Sequence, residues 1–416
     1  MIKNFFDYLV STIVSRALGF LLIPYMISRM TASEYGQLGL IFITIYFIFD
    51  LIHHSSSGYY SLYFFKNKEE SDSSLMWRII SEQLVFLLGL SCIFILIYFF
   101  FNESLWINGL IIMSAYLIVF SRSLNFLFLS YFKVKEMSRK YGIVELFEAL
   151  SVAGITVFLF EFNDATIENR LLSTAIGTFL ALMISILCFG KSIKSFRLNI
   201  NLKKIKEVFI FGAKLYPHVF GSLILLASDR LFLSYYHTLT DVGIYTVAFQ
   251  YASVLLILNT LSNRIFQPKA YDYFNSKNTS KANFNYLTPF WIRYILLILI
   301  TTFFLAFSVV SFSKWLYPNE YFYGLFPTLI LMAAFMFYWI ATVPVPFFMN
   351  SNENRFLSYS TSLALALNLI GNQLLVPSFG TFGASFATLL AIFIAMIFSY
   401  YFAGRLYKKE LRHHEQ

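Results

Sequence analysis

Apolar runs of roughly twenty residues, separated by short polar clusters, succeed one another along the whole chain. A bilayer-crossing helix needs about 20 apolar residues, and this spacing predicts about twelve of them. Six fall in the first half, at 5–26, 38–60, 79–101, 106–132, 142–160 and 171–190. Six fall in the second, at 209–233, 242–264, 290–312, 326–349, 356–376 and 382–404. A basic segment divides the two sets. The expected organisation is a six-helix bundle at 1–190, a cytoplasmic basic linker at 191–206 and a second six-helix bundle at 207–416. An even number of crossings in each half gives both halves the same orientation. The predicted fold class is therefore an all-α polytopic membrane protein, its two bundles related by a pseudo-two-fold along the membrane normal.

One polar cluster occurs twice. TASEYGQLGL at 31–40 returns as TLTDVGIYTV at 238–247, a shift of 207 positions that aligns Thr31 with Thr238, Glu34 with Asp241 and Gly36 with Gly243. Each copy lies between the first and second helix of its half. The acid follows the threonine by three residues, where a helix start favours it. The glycines permit close packing.

Composition agrees with the pattern. The chain is 58% hydrophobic and 13% charged, with a mean hydropathy of +0.67. Soluble domains carry about 25% charged residues. Lys3 precedes the first apolar run and no small-residue cleavage site follows, so this run is expected to be a retained helix. Cys92 and Cys188 both lie inside apolar runs, which gives neither a disulfide framework nor a metal site.

The net charge of +9 is distributed unevenly. Lys and Arg concentrate at both termini and in alternate loops, such as Lys133 to Lys140 and Lys191 to Lys206. The opposite loops hold Arg29, Arg170 and Lys314 beside Glu34, Glu103, Glu161, Asp164, Glu168, Asp241 and Glu320. The positive-inside rule then places both termini in the cytoplasm. Charge that alternates with the spans reads as topology and not as a nucleic-acid surface. In the linker, Ile193, Phe196, Leu198, Ile200, Leu202 and Ile205 alternate with cations. That pattern suits either an amphipathic segment on the anionic inner leaflet or a solvated connection.

Charges within the spans carry the candidate chemistry, because each is costly in hydrocarbon. Arg16, Asp50 and Arg122 fall near the middle of helices one, two and four. Lys214, Arg264 and Arg293 lie toward cytoplasmic ends, with Glu82, Glu145, Glu148 and Glu207. Asp229 and Arg230 lie toward the outer end of helix seven. Residues near an end can snorkel to the headgroups. The central three either form an ion pair, Arg16 or Arg122 with Asp50, or face a hydrated cavity. In the second case the excess of arginine attracts an anion, and its planar fork suits phosphate or pyrophosphate. Asp50 and Asp229 are the expected ion-pairing or ion-coupling acids, for protons or sodium. Gly19 and Pro24 interrupt helix one, and Pro217 and Gly221 interrupt helix seven, so these four are the expected hinge residues. Other chemistry fails on its residues. Gly190-Lys191-Ser192 lacks the first glycine of a phosphate loop because Ser185 takes its place, so no ATP site is expected. His53, His54 and His218 have no partners at metal spacing. No nucleophile has an arranged base, so neither an enzyme nor a cofactor is expected.

Four stretches carry a family resemblance: LLIPYMISRMTASEYGQLGL at 21–40, ASDRLFLSYYHTLTDVGIYTVAFQYASVLLIL at 227–258, the turn at 350–355, and LALNLIGNQLLVPSFGTFGASFATLLA at 365–391. With them the chain resembles bacterial polysaccharide flippases of the O-antigen (Wzx) type, within the MATE-like MOP exporter superfamily. The resemblance implies two six-helix bundles forming a V around a central cavity. It also implies movement of undecaprenyl-pyrophosphate-linked oligosaccharide from the inner to the outer leaflet of the bacterial inner membrane. Cationic residues of the first, seventh and eighth helices meet the pyrophosphate in such flippases; Arg16, Lys214 and Arg264 occupy comparable helices here. Partners implied are the lipid-linked glycan, membrane lipids, a polymerase and a chain-length regulator. A MATE-type drug/cation antiporter and an O-antigen polymerase, a membrane glycosyltransferase, are the alternatives. The first wants an acidic cavity, and the second a large outer loop with catalytic cations.

Overall fold

A computed structural model describes residues 2–53, 56–66, 72–101, 108–190, 202–213, 216–275, 288–351, 353 and 355–415. Among these residues every regular element is helical. The first half contains α1 (Ile2–Ile27), α2 (Ala32–His53), α3 (Ser56–Lys66), α4 (Asp72–Phe101), α5 (Gly109–Val134), α6 (Ser138–Phe162) and α7 (Ile167–Phe189). Then follow α8 (Leu202–Ala213), α9 (Tyr216–Tyr236), α10 (Leu239–Ala252), α11 (Val254–Asn275) and α12 (Thr288–Ser311). The last are α13 (Ser313–Leu316), a 3-10 turn (Asn319–Gly324), α14 (Leu325–Ala341), α15 (Val345–Asn350) and α16 (Arg355–Glu415).

The apolar runs fall largely on helix where they are described, with turns at Ser253, Phe312 and 342–344. Ten helical stretches among the described residues are long and apolar enough to cross a membrane. One of them, at 355–406, exceeds any bilayer and divides at Gly380, whose φ of 53° and ψ of −129° turn the chain back. A side chain at positive φ is strained, so glycine fits this bend. His237, at the end of α9, packs beneath it and hydrogen-bonds through Nε2 to the Val376 carbonyl at 2.7 Å.

Helix one is not interrupted. α1 runs unbroken through Gly19 and Pro24. Pro24 lies in its last turns, where only one backbone bond is lost and Ser28 N–H still reaches the Pro24 carbonyl at 3.2 Å. In the region of helix seven, α8 ends at Ala213 and α9 begins at Tyr216, with Pro217 as the second residue of α9. Gly221 sits inside α9, within 3.8 Å of Leu365 if it carried a Cβ.

The chain packs as two compact units: 1–30 with 41–220, and 31–40 with 221–416. In the first, α1, α5, α6 and α7 form the packed centre. A Cβ on Gly177 of α7 would lie 2.5 Å from the Val152 side chain of α6, so these helices meet almost backbone to backbone. The end of α1 is pinned to α6. Glu161 Oε1 accepts from Arg29 Nη2 at 2.6 Å and from the Tyr25 hydroxyl at 2.9 Å, and the guanidinium lies 4.3 Å above the Tyr25 ring. α8 docks on α3 and α4, stacking Phe209 on Phe86 and setting Phe211 edge-on to Tyr59. Residues 191–201, most of the expected linker, lie outside the described residues.

The second unit is built around α9, α10, α14 and the two limbs of α16. The segment Thr31–Leu40 packs here and not with the rest of α2. Both copies of the repeated cluster are capping boxes. At the first, Thr31 N–H donates to Glu34 Oε2 at 2.9 Å and Glu34 N–H to Thr31 Oγ1 at 3.3 Å. At the second, Thr238 N–H donates to Asp241 Oδ2 at 3.2 Å and Asp241 N–H to Thr238 Oγ1 at 3.3 Å.

Candidate functional site

Two polar constellations lie inside the apolar helices, one in each unit. The first surrounds Tyr46, at the middle of α2. Arg122 of α5 places its guanidinium 5.3 Å from the ring centroid and faces the phenol oxygen. Arg16 of α1 and Arg170 of α7 are near enough to act on the same oxygen electrostatically. Glu148 of α6 has Oε1 3.8 Å from Arg122 Nε, and Glu145, one turn earlier on α6, accepts from Ser11 at 3.4 Å and Thr12 at 3.0 Å on α1. Glu148 is itself held by Asn125 Nδ2 at 3.0 Å, and Asn125 accepts from the Ser185 hydroxyl. Arg170 is fixed by hydroxyls, with Nη1 donating to Thr174 at 2.7 Å, Thr156 at 3.2 Å and Ser173 at 3.3 Å. It also lies 5.8 Å from the Phe42 ring. Arg16 is exposed, whereas Arg122 and Arg170 are half-buried. These charges lie on helices long and apolar enough to cross a membrane, where charge is costly.

The expected pairing of Arg16 or Arg122 with Asp50 is not what forms. Arg122 pairs with Glu148, and no ion pair among the described residues involves Asp50, which is half-buried on α2. Glu148 prevails because α5 and α6 meet α7 in one packed layer, which brings their facing polar residues together.

The second constellation is centred on Asp229 of α9, which is completely buried. It does not snorkel, as a residue near a helix end could. Its Oδ1 accepts from Asn372 Nδ2 at 2.7 Å and Asn368 Nδ2 at 3.1 Å; its Oδ2 accepts from Thr388 Oγ1 at 2.7 Å and from the Tyr245 hydroxyl. Asn368 is further tied to Ser228 at 2.8 Å and to Thr388 at 3.0 Å. Four donors occupy the acceptor sites of one carboxylate, so the charge is solvated by protein instead of water. The Oδ1 of Asn372 is buried with no hydrogen-bond partner. Turning the two amides over would present their oxygens beside the carboxylate and the Thr388 hydroxyl, an all-oxygen set of the kind hard cations select. The neighbouring Arg230 is also buried, and points away, with its guanidinium 4.2 Å over Phe249 and Nη1 3.3 Å from the Leu226 carbonyl.

Sequence reasoning named Arg16, Arg122 and Asp229 and missed what joins them. Arg170 reads as a loop residue because it sits in the first turn of α7. Asn368 and Asn372 stand one helical turn apart in a largely apolar run, and that spacing was the available signal. Arg264 and Arg293 are exposed on α11 and α12. Lys214 lies outside the described residues.

Comparison with known proteins agrees with this architecture. The model of a family described as "Polysaccharide biosynthesis protein" matches residues 1–265. An uncharacterized membrane protein of Haemophilus influenzae is 21% identical over 277 residues, 65% of this chain and 65% of its own length. Among solved structures, the lipid II flippase MurJ in an inward closed conformation superposes with a TM-score of 0.69 at 16% identity, covering 95% of this chain and 86% of that one. A mutant of the Vibrio cholerae MATE transporter VcmN gives a TM-score of 0.58 at 13% identity, covering 99% and 95%. An outward-facing multidrug resistance MATE transporter of the MOP superfamily gives 0.63 at 10% identity, covering 99% and 96%. The chain belongs to the polysaccharide biosynthesis protein family, and its all-helical membrane fold is the one shared by MurJ and the MATE transporters.

Proposed function

We propose that the protein is a flippase for a lipid-linked oligosaccharide, an undecaprenyl-pyrophosphate-linked repeat unit of O-antigen or a related surface polysaccharide. It carries this cargo from the cytoplasmic to the outer leaflet of the bacterial inner membrane by alternating access, with both termini in the cytoplasm. The observation that carries the reading is Arg122 held 5.3 Å from the Tyr46 ring within the membrane-spanning helices, with Arg16 of α1 in the same packed unit. A pyrophosphate would bring negative charge to these arginines, and planar guanidiniums match its oxygens. Arginines in these helices disfavour a cationic drug as cargo. Family membership and the fold of a lipid II flippase support a lipid-linked substrate. The activity proposed is transport, with no bond made or broken. Asp229 is the proposed site of the coupling cation, proton or sodium, because its fully protein-solvated carboxylate can exchange hydrogen-bond donors for a cation. A polymerase and a chain-length regulator are the proposed protein partners.

The test is deletion of the gene, followed by locating the stalled lipid-linked glycan. Accumulation in the inner leaflet is expected. Accumulation of single repeat units in the outer leaflet would instead indicate a polymerase. Arg16→Ala and Arg122→Ala should each abolish complementation at normal protein levels; full export by both variants would refute the anion site.

A further inference from the structure

The repeated cluster does more than cap two helices, because its two copies touch each other. A Cβ built on Gly36 would lie 2.0 Å from the Leu239 carbonyl oxygen and 2.8 Å from Gly243 N. A Cβ built on Gly243 would lie 1.8 Å from the Ala32 carbonyl oxygen and 3.0 Å from Gly36 N. Leu239 follows Ala32 by the same 207 positions that separate the glycines. The contact is therefore reciprocal: each glycine hydrogen points at the carbonyl of the other copy's first turn, as in an isologous dimer interface. One turn deeper, the equivalent positions Gly39 and Thr246 meet, with 3.5 Å between the built Cβ of Gly39 and the Thr246 Cβ.

This contact sets two helix N-termini side by side. Each pole carries roughly half a positive charge, so they repel. Three carboxylates answer the charge. Glu34 and Asp241 close their own capping boxes, and Glu320, from the 3-10 turn after α13, accepts from Ala32 N–H at 2.6 Å. Beside them the Tyr35 hydroxyl donates to Gln250 at 2.7 Å. What holds the two turns together is thus close backbone approach plus shared neutralisation of like poles. Such a contact closes tightly and can part without stranding a buried charge.

We propose that the paired turns are a self-complementary latch, and that its release is an obligatory step in opening the outer face. The proposal rests on the alternating-access reading. Thr31–Leu40 packs with α10 in the second unit, while the chain on either side of it, 1–30 and 41–220, packs in the first, so on that reading a movement between the units acts on the latch.

The test uses the full-length protein in intact cells, in a C92S/C188S background. The G39C/T246C pair meets the Cβ separation of a disulfide, about 3.5–4.5 Å. Oxidation should stop surface polysaccharide in the complemented deletion strain, and dithiothreitol should restore it, while either single cysteine is indifferent to oxidant. Separately, T246C alone should react slowly with a membrane-impermeant maleimide added outside. That rate should rise about 10-fold in E34Q/D241N/E320Q, where the like poles are no longer neutralised. Should the triple variant not accumulate, Glu320→Gln leaves both capping boxes intact and should give a smaller rise. An unchanged labelling rate, or undiminished export by the oxidised pair, overturns the latch. If labelling behaves as expected but surface polysaccharide never depends on this protein, the latch stands and the flippase reading falls.

Discussion

Gly36→Ala sets two effects of opposite sign against each other, and the structure decides between them. In an exposed helix interior the change from glycine to alanine stabilises by about 0.8–1.0 kcal/mol, because alanine loses less backbone entropy. Gly19 of α1 is such a site, with nothing within 4 Å of a built Cβ. At Gly36 the new methyl would lie 2.0 Å from the Leu239 oxygen, whereas ordinary contact begins at 3.4 Å. The obstruction is backbone in the first turn of α10, not the end of a flexible side chain, so the helices must separate by more than an ångström. Overpacking of this kind costs about 1–3 kcal/mol, and a backbone obstacle puts it at the upper end. The net effect at Gly36 is then a loss of about 1–2 kcal/mol, against a gain of about 1 kcal/mol at Gly19. Thermal unfolding of the purified variants in one detergent compares them directly. Gly19→Ala should raise the midpoint and Gly36→Ala lower it. Gly243→Ala should match Gly36→Ala, because the contact is reciprocal. A midpoint for Gly36→Ala that rises as far as that of Gly19→Ala would mean the two turns do not meet.

Asp229→Asn keeps the shape of the buried carboxylate but turns an amide N–H₂ toward two of its four donors, at a cost of about 1–3 kcal/mol for each donor left unpaired. Sodium chloride should raise the unfolding midpoint of the wild-type protein above that in choline chloride, and this difference should vanish in Asp229→Asn; a sodium effect that survives would remove Asp229 as the cation site. Thr31→Ala and Thr238→Ala each delete one cap and should cost about 1 kcal/mol apiece. Equal stability of the wild type and the double variant in the same melt would show that the capping boxes contribute nothing.

The helices were legible in the sequence because the bilayer imposes a single length scale on apolar runs. The expected spans lie largely on helix where they are described, and the repeated threonine and acid stand at helix starts. Helix breaks were less legible. Pro24 lies in a continuous helix, while α10 and α11 part at Ser253, with no proline nearby. A proline near a helix end costs one hydrogen bond, and a break elsewhere answers to packing that local sequence does not encode.

The site divides along the same line. Which residues are costly in hydrocarbon follows from their chemistry alone, so Arg16, Arg122 and Asp229 could be named from the sequence. Which residue answers each cost is a matter of which helices face one another. Arg122 found Glu148 and not Asp50, Arg170 entered from what reads as a loop, and Asp229 drew its donors from residues 16 to 159 positions away. Taken residue by residue, the chain already specified a helical membrane protein with a doubled turn and a few buried charges, because hydrophobicity and charge are properties of single residues. That the doubled turn is one contact was settled by packing alone, since the backbone proximity of two glycines depends on how helices far apart in sequence meet.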